Sequence, residues 1–348
     1  MARPTIPDLA RAAGLSTATV DRVLNGREGV SAANRHRVLA AARDLGYLPR
    51  EGLLALPARP AHLLFVLPSL APGFMRGLAA SIRGFGASLP LVASCRVAEA
   101  GGLGPEALAR AVEGIGPRTS GVGIVATDAP ETRALVARLA DAGVRVVTVA
   151  SDLPGSRRAA YVGVDNRAAG RTAAALVGLL AGPAPRAVGL FPGSRAYHGH
   201  REREAGFRAV MAERFPHLAV LPGVETGEDG ARSRTALRRL LRERDDVAAV
   251  YALGAGRSGI AEALREAPPA RRPRAVLHDL TPSTRAWLAE GLIDAVIDQN
   301  ARLLGEQAVL RLLGSIATAA PFLSLRDIEP RILLRENVPA PDPEGPGA

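Results

Sequence analysis

From residue 62 onward, ten short apolar runs alternate with helical stretches, and this alternation restricts the body of the chain to a parallel α/β architecture. The runs fall at 62–67, 90–95, 121–126, 145–149, 160–164, 186–191, 218–223, 247–253, 274–278 and 294–298. Continuous apolar runs of this length suit strands covered on both faces, as in parallel sheets. Helical spacing fills the gaps, for instance at 74–88, 130–142, 166–181, 202–215, 229–243 and 301–313. Repeated strand–helix–strand units give doubly wound sheets, and so many strands exceed one comfortable sheet. A seam at Val164-Asp165-Asn166 divides the body into two similar lobes with a cleft between them.

A separate unit precedes the body. Residues 5–25, TIPDLARAAGLSTATVDRVLN, read as two short helices joined by a glycine turn. Thr5 caps the first helix, Pro7 is tolerated in its first turn, and Asp8 complements the free N–H groups there. Ile6, Leu9, Ala10 and Ala13 share one face. Gly14 supplies a positive φ, Leu15 plugs the space between the helices, and Ser16 caps the second. Val20, Val23 and Leu24 turn inward, leaving Thr17, Ala18, Asp21, Arg22 and Asn25 on the outer face. A helix that enters a DNA major groove needs small or hydrogen-bonding groups at its start and an arginine able to grip guanine. This face meets that requirement, although a solvated helical hairpin accounts for the same polarity. Ser31 caps a third helix over 32–45, followed by Gly46-Tyr47-Leu48-Pro49.

The run TVDRVLNG, followed by VSAANRHRVLAAARDLGYLP, resembles the headpiece of the LacI/GalR family of bacterial transcription regulators in residue type, order and spacing. The resemblance implies an all-α helix-turn-helix headpiece over 1–50 that binds DNA. It puts Thr17, Ala18 and Arg22 at base-reading positions, and Thr5, Ser16, Thr19, Asn25, Ser31 and Asn34 at phosphate-contacting or capping ones. Asp21 stands where the family usually has serine. Its carboxylate pairs with Arg22 or Arg27, accepts from a cytosine amino group, or weakens binding, and the sequence leaves these open. Residues 51–60 correspond to the family's hinge, where a short helix wedges a leucine into the minor groove. Leu56 takes that position, yet Gly52 and Pro57 oppose a helix, so a simple tether competes.

The body resembles the ribose-binding branch of the periplasmic sugar-binding fold, the effector domain of LacI/GalR regulators, most strongly at YVGVDNRAAGR, HREREAGFRAV and VLHDLTPSTRAWL. The resemblance implies a two-lobed effector-binding and dimerisation domain over 61–338. Lobe 1 takes about 61–163 and 300–322, lobe 2 about 164–299 and 323–338, with 301–320 returning to the first lobe. The tail PAPDPEGPGA, 339–348, has a disordered composition.

Open α/β sheets bind ligands at the carboxyl ends of their strands. The groups collected there are Phe74, Ser151, Asp152, Tyr197 to Arg201, Asp279 and Gln299. A polyol needs charged or amide groups that each grip hydroxyls, and an aromatic face for its C–H surface. Arg201, Asp279, Gln299 and Phe74 supply that set and align with sugar-contacting positions of the ribose-binding branch. Their plainer readings are a surface ion pair, a helix cap and core packing. Ala71-Pro72-Gly73 lacks the family's asparagine, and Ala150 and Ser151 replace its aspartate and arginine. The expected effector is therefore a sugar, polyol or sugar acid rather than necessarily an ordinary hexose.

Two other function classes compete. Gly254-Ala255-Gly256-Arg257-Ser258-Gly259, with Asp279 twenty residues later, has the form of a dinucleotide fingerprint and offers an NAD-dependent oxidoreductase. The motif sits late in the strand series, however, and no proton-transfer partner stands beside it. A solute-binding protein predicts an export signal and no headpiece. His198 and His200 lack a third ligand for a metal, and no nucleophile elbow or phosphate-cradling lysine motif occurs. No catalytic residue, metal or cofactor is expected.

Composition adds little about partners. The net charge is +10, but all 44 basic residues are arginines spread along the chain. Residues 1–59 hold nine arginines against five acids, a modest basic surplus that suits salt-sensitive DNA affinity. Cys95 is the only cysteine, so no internal disulfide forms, and its apolar run predicts an inert thiol. With no signal peptide and no membrane-length apolar stretch, the expectation is a cytoplasmic protein. The function expected is a transcriptional repressor, a homodimer on a near-palindromic double-stranded operator, controlled allosterically by a carbohydrate-like effector.

Overall fold

The computed structural model describes residues 4–24, 27, 29–47, 60–71, 73–89, 91–113, 115–116, 118–316 and 327–339. Its first three helices are α1 (Ile6–Ala13), α2 (Thr17–Leu24) and α3 (Ala32–Asp44). Thr5 starts α1 by donating its backbone N–H (3.0 Å) and its hydroxyl (2.6 Å) to the Asp8 carboxylate. At the other end Gly14 adopts φ 61°, while Leu15 N–H returns to Ala10 O (3.0 Å) and Gly14 N–H to Arg11 O (3.2 Å). This paired closure needs a left-handed residue, which glycine supplies without strain. Arg37 of α3 donates to Gly14 O at 3.2 Å, tying the turn to the third helix. Leu9, Ala10, Ala13, Val20, Val38, Ala41 and Ala42 form the small core beneath, with Leu15 packed against it.

The body comprises two sheets. β1 (Ala61–Leu67), α4 (Phe74–Ser88), β2 (Val92–Glu99), α5 (Pro105–Val112), β3 (Gly121–Ile124), α6 (Pro130–Asp141), β4 (Arg145–Val149) and β5 (Ala160–Val162) build the first. Its order is β2-β1-β3-β4-β5, all parallel. The second follows from α7 (Asn166–Ala181), β6 (Arg186–Phe191), α8 (His198–Arg214), β7 (Leu218–Val220), α9 (Gly230–Glu243) and β8 (Val247–Ala252). It continues through α10 (Arg257–Glu266), β9 (Arg274–His278), α11 (Pro282–Ala289) and β10 (Ala295–Asp298). After α12 (Ala301–Ile316), β11 (Arg331–Leu333) closes its edge, giving the order β11-β10-β9-β8-β6-β7 with only β11 antiparallel.

α12 does not pack on the sheet that precedes it. Leu304, Ala308, Val309, Leu312 and Leu313 join Leu63, Phe65 and Val147 in the core of the first sheet. The chain therefore passes from the first sheet to the second, back along α12, and again to the second at β11, where Arg331 pairs with the buried Asp298.

Several boundaries differ from the apolar pattern. β2 runs on to Glu99 as an edge strand only partly buried along most of its length, so Ser94 and Arg96 do not end it. β7 stops at Val220, ahead of Pro222, which has no N–H for the ladder. α8 starts at His198, four residues before the apolar periodicity begins. β11, three residues long, is too short to register as a run. Asn25, Leu56 and most of the hinge and tail lie outside the described residues.

Candidate DNA-reading face and ligand cavity

Ser16 accepts the Thr19 N–H at 3.2 Å and fixes the start of α2. Val20 is buried, which turns Thr17, Ala18 and Arg22 outward and leaves all three exposed. Arg27 donates to Asp21 at 3.2 Å, one of the pairings open to this carboxylate. Both side chains of the pair are well exposed, and such pairs contribute at most about 1 kcal/mol. Ser31 caps α3 by accepting Asn34 N–H at 3.3 Å, and Thr5 serves as the α1 cap described above.

A cavity of about 350 Å³ lies where the carboxyl ends of the two sheets face each other, within the usual range for small-molecule sites. The strand order reverses beside β1 and beside β6, which opens the crevices that meet there. Phe74 and Ser151 line it from the first sheet, and Tyr197, Asp279 and Gln299 from the second. Ser151 Oγ accepts the Gly199 N–H at 3.2 Å, joining the lobes at the cavity wall.

Asp279 is 5% exposed and organises its surroundings. One oxygen accepts from Arg257 at 2.8 Å and the other from Gln299 Nε2 at 2.7 Å. Gln299 Oε1 is left buried with no partner. Arg203, 3% exposed, donates to Asn166 Oδ1 (2.8 Å) and Leu253 O (2.9 Å). It is seated by a close crossing of α7 and α8: a Cβ on Gly170 would lie 2.0 Å from Arg203 O, and one on Gly206 2.2 Å from Arg167 O.

Glu228 enters from the loop before α9. Its Oε2 accepts Ala255 N–H at 2.9 Å, while Oε1 is buried without a hydrogen-bond partner. Burial pushes its carboxyl above the ordinary range, opposed by the Ala255 N–H. Beside it His200 is pulled down to about 3 by burial and by the Arg203 charge, so the imidazole is neutral. Its Nδ1 lies 3.0 Å from Ser194 O and 3.5 Å from Glu228 Oε1. Ser194 N–H lies 3.3 Å from the same nitrogen, so whichever tautomer is present Ser194 is its nearer partner.

The left-handed backbone marks the same place. Among the described residues Ala150 (φ 60°), Glu228 (φ 64°), Asp279 (φ 65°) and Asn300 (φ 53°) are the non-glycine residues with positive φ. The first three line the cavity and the fourth follows Gln299. Each costs about 1–2 kcal/mol and persists where surrounding structure over-determines it, as at ligand sites.

Two expected ligand residues point elsewhere. Asp152 is occupied by Arg158 at 2.7 Å, Leu153 N–H at 2.7 Å and Thr148 at 3.0 Å, away from the cavity lining. Arg201 reaches Asp128 of the first lobe and Arg195 O (2.7 Å) instead. Residues two apart on a helix face nearly opposite ways, so once Arg203 faces the cavity Arg201 cannot. Arg203, Glu228, Arg257 and Trp287, which the strand-end pattern did not single out, take part in the lining, as does His200 from the collected 197–201 stretch. The clue for Arg203 was Gly206, three residues on and hence on the same helical face.

The glycines of the 254–259 motif have structural uses. A Cβ on Gly259 would lie 1.7 Å from Gly230 O, and one on Gly254 2.8 Å from Glu228 Oε1. The Ala255 N–H that a pyrophosphate would need is held by the Glu228 carboxylate, which would also repel phosphate. No cluster of three or more metal-binding side chains occurs among the described residues. Cys95 donates to Ile82 O at 3.6 Å, and burial pushes its thiol up to about 11, as expected of an inert residue.

Comparison with known proteins adds the family. Residues 5–50 match the family of bacterial regulatory proteins named lacI, and 108–314 match a periplasmic binding protein domain. The chain belongs to the lacI family. An HTH-type transcriptional regulator from the aml 5′ region of Streptomyces limosus is 33% identical over 219 residues, 60% of this lacI-family chain and 58% of that protein. The ribose operon repressor of Bacillus subtilis is 42% identical over 76 residues, 22% of this chain and 23% of that protein. The chain thus spans well under two thirds of these relatives. Among solved structures, GanP, a glucose-galactose binding protein from Geobacillus stearothermophilus, superposes with a TM-score of 0.72 at 19% identity, covering 81% of this chain and 99% of that one. A solute-binding protein from Burkholderia graminis, solved with D-arabinose, gives 0.70 at 20% identity, covering 80% and 97%. No described helix is long and apolar enough to cross a membrane.

Proposed function

We propose that this lacI-family protein is a sequence-specific transcriptional repressor whose hold on DNA is set by a small polyhydroxylated effector in the interlobe cavity. The observation that carries the reading is the joining, in one chain, of the outward Thr17, Ala18 and Arg22 face to a cavity with unpartnered acceptors. In this reading Arg22 grips a guanine edge while Ser16, Thr19, Asn25, Ser31 and Asn34 approach phosphates. Leu56 is assigned the minor-groove wedge.

One headpiece offers too few base contacts for useful specificity, so the active species is a homodimer on a near-palindromic operator in the cytoplasm. Lobe 1 carries Phe74 and Ser151 and lobe 2 carries Tyr197, Arg203, Asp279 and Gln299, so a bound effector favours one relative placement of the lobes. The Ser151–Gly199 and Asp128–Arg201 contacts supply the coupling. Control of DNA affinity then equals the difference in effector affinity between the DNA-binding and free forms. The ribose operon repressor and the D-arabinose complex among the similar proteins support a carbohydrate-like ligand class.

Selection of genomic fragments by the purified protein, with and without sugars, tests the reading. Enrichment of a two-fold symmetric site is expected; no sequence preference under any condition refutes it.

A further inference from the structure

We propose that Glu228 is a specificity-determining ligand contact, committing the cavity to a neutral polyhydroxylated molecule and against its carboxylate-bearing counterparts. The inference rests on the cavity reading above and narrows its ligand class.

Both buried arginines already have partners before any ligand arrives. Arg257 is paired with Asp279 at 2.8 Å, and Arg203 is held by Asn166 Oδ1 and Leu253 O. What is left unmet is acceptor capacity: Glu228 Oε1 and Gln299 Oε1 are both buried without partners, on residues that line one cavity. A buried acceptor without a donor is unfavourable, so the favoured occupant brings O–H groups to both. A ligand carboxylate brings only acceptors to these two acceptor atoms.

The geometry shows a built site. The Glu228 carboxylate occupies a slot that exists only because Gly193 and Gly254 lack side chains; a Cβ on Gly193 would lie 1.6 Å from Oε1. The backbone at Glu228 is held left-handed, and Ala255 N–H fixes Oε2, which leaves Oε1 as the free atom. His200, neutral and engaged with Ser194, does not serve it.

Glu228→Gln disrupts this arrangement in either amide orientation. With nitrogen at the Oε1 site a donor faces the ligand's donor, and with nitrogen at the Oε2 site it faces Ala255 N–H. The test is calorimetric titration and thermal shift of the full-length protein with D-ribose, D-arabinose, D-fucose, D-galactose and xylitol, against D-galacturonate and D-gluconate. At least one neutral member binds, each acid binds at least tenfold more weakly than its neutral relative, and Glu228→Gln weakens the neutral ligand at least tenfold. An acid that binds as well as its neutral relative overturns the proposal with wild-type protein alone, as does a Glu228→Gln variant with unchanged affinity. Binding by none of the panel overturns the ligand class. Each of these leaves the fragment selection to judge DNA reading separately.

Discussion

Acidification from pH 7 to pH 5 should weaken the second lobe, and one substitution, His200→Gln, should remove His200's share of that loss. His200 has an ordinary value of 6.5 and is held at about 3 in the fold by burial and by Arg203. Its side chain is 13% exposed, so solvent screening is small. The unfolded chain takes up a proton as the pH falls through about 6.5, the folded one does not, and stability is therefore lost as pH falls. Applying linkage to those two values gives a loss of about 2 kcal/mol for this residue between pH 7 and pH 5. His278, buried against Tyr251 at 2.6 Å and also held well below its ordinary value by burial, adds a loss of the same sign. Glu228 acts with the opposite sign, because a carboxyl raised in the fold binds protons more readily there. Denaturant unfolding at pH 7, 6 and 5, followed by the single tryptophan Trp287 on α11, reads the second lobe directly. Glutamine keeps a polar atom for Ser194 but takes no proton. The stability gap between wild type and His200→Gln should thus move by about 2 kcal/mol in the variant's favour on going to pH 5. A gap that stays constant across that range means the imidazole is not held neutral in the fold.

Arg22→Ala should cost about 1–3 kcal/mol of operator affinity and relax sequence preference at one base pair, measured by competition binding; unchanged specificity removes α2 as the reading element. Gly14→Ala forces alanine to φ 61° with its Cβ 2.6 Å from an Arg37 nitrogen, so headpiece stability should fall by about 1–2 kcal/mol while effector binding is untouched. Gly170→Ala would drive a methyl to 2.0 Å from Arg203 O. It should cost about 1–3 kcal/mol in unfolding experiments and weaken the cavity ligand more than Arg201→Ala does, since only Arg203 lines the cavity. Equal effects would mean that Arg201, not Arg203, serves the ligand.

The headpiece was legible because its determinants are local. Thr5, Asp8, Gly14, Ser16 and Ser31 each act within a few residues, and Leu9, Ala13 and Val20 reveal the inner face by spacing alone. Strand ends were equally readable, which is why Phe74, Ser151, Tyr197, Asp279 and Gln299 were found: a residue just past an apolar run of a parallel sheet has one place to go. Arg201 and Asp152 were misplaced because helix rotation and loop path are decided by contacts far away in sequence. The crossing at Gly170 and Gly206 turned Arg203 inward, and Arg158 captured Asp152.

By itself, then, the amino-acid order determined the helix caps, the repeat of strands and helices, and the groups delivered to the strand ends, since these follow from backbone geometry and apolar periodicity over short distances. Only the tertiary structure decided which polar atoms are left over. Asp279 is spent on Arg257 and Gln299, and Glu228 is lodged against Gly193 and Gly254 with one oxygen free. Hydrogen-bond satisfaction is a sum over every neighbour in space, and no stretch of sequence contains that sum.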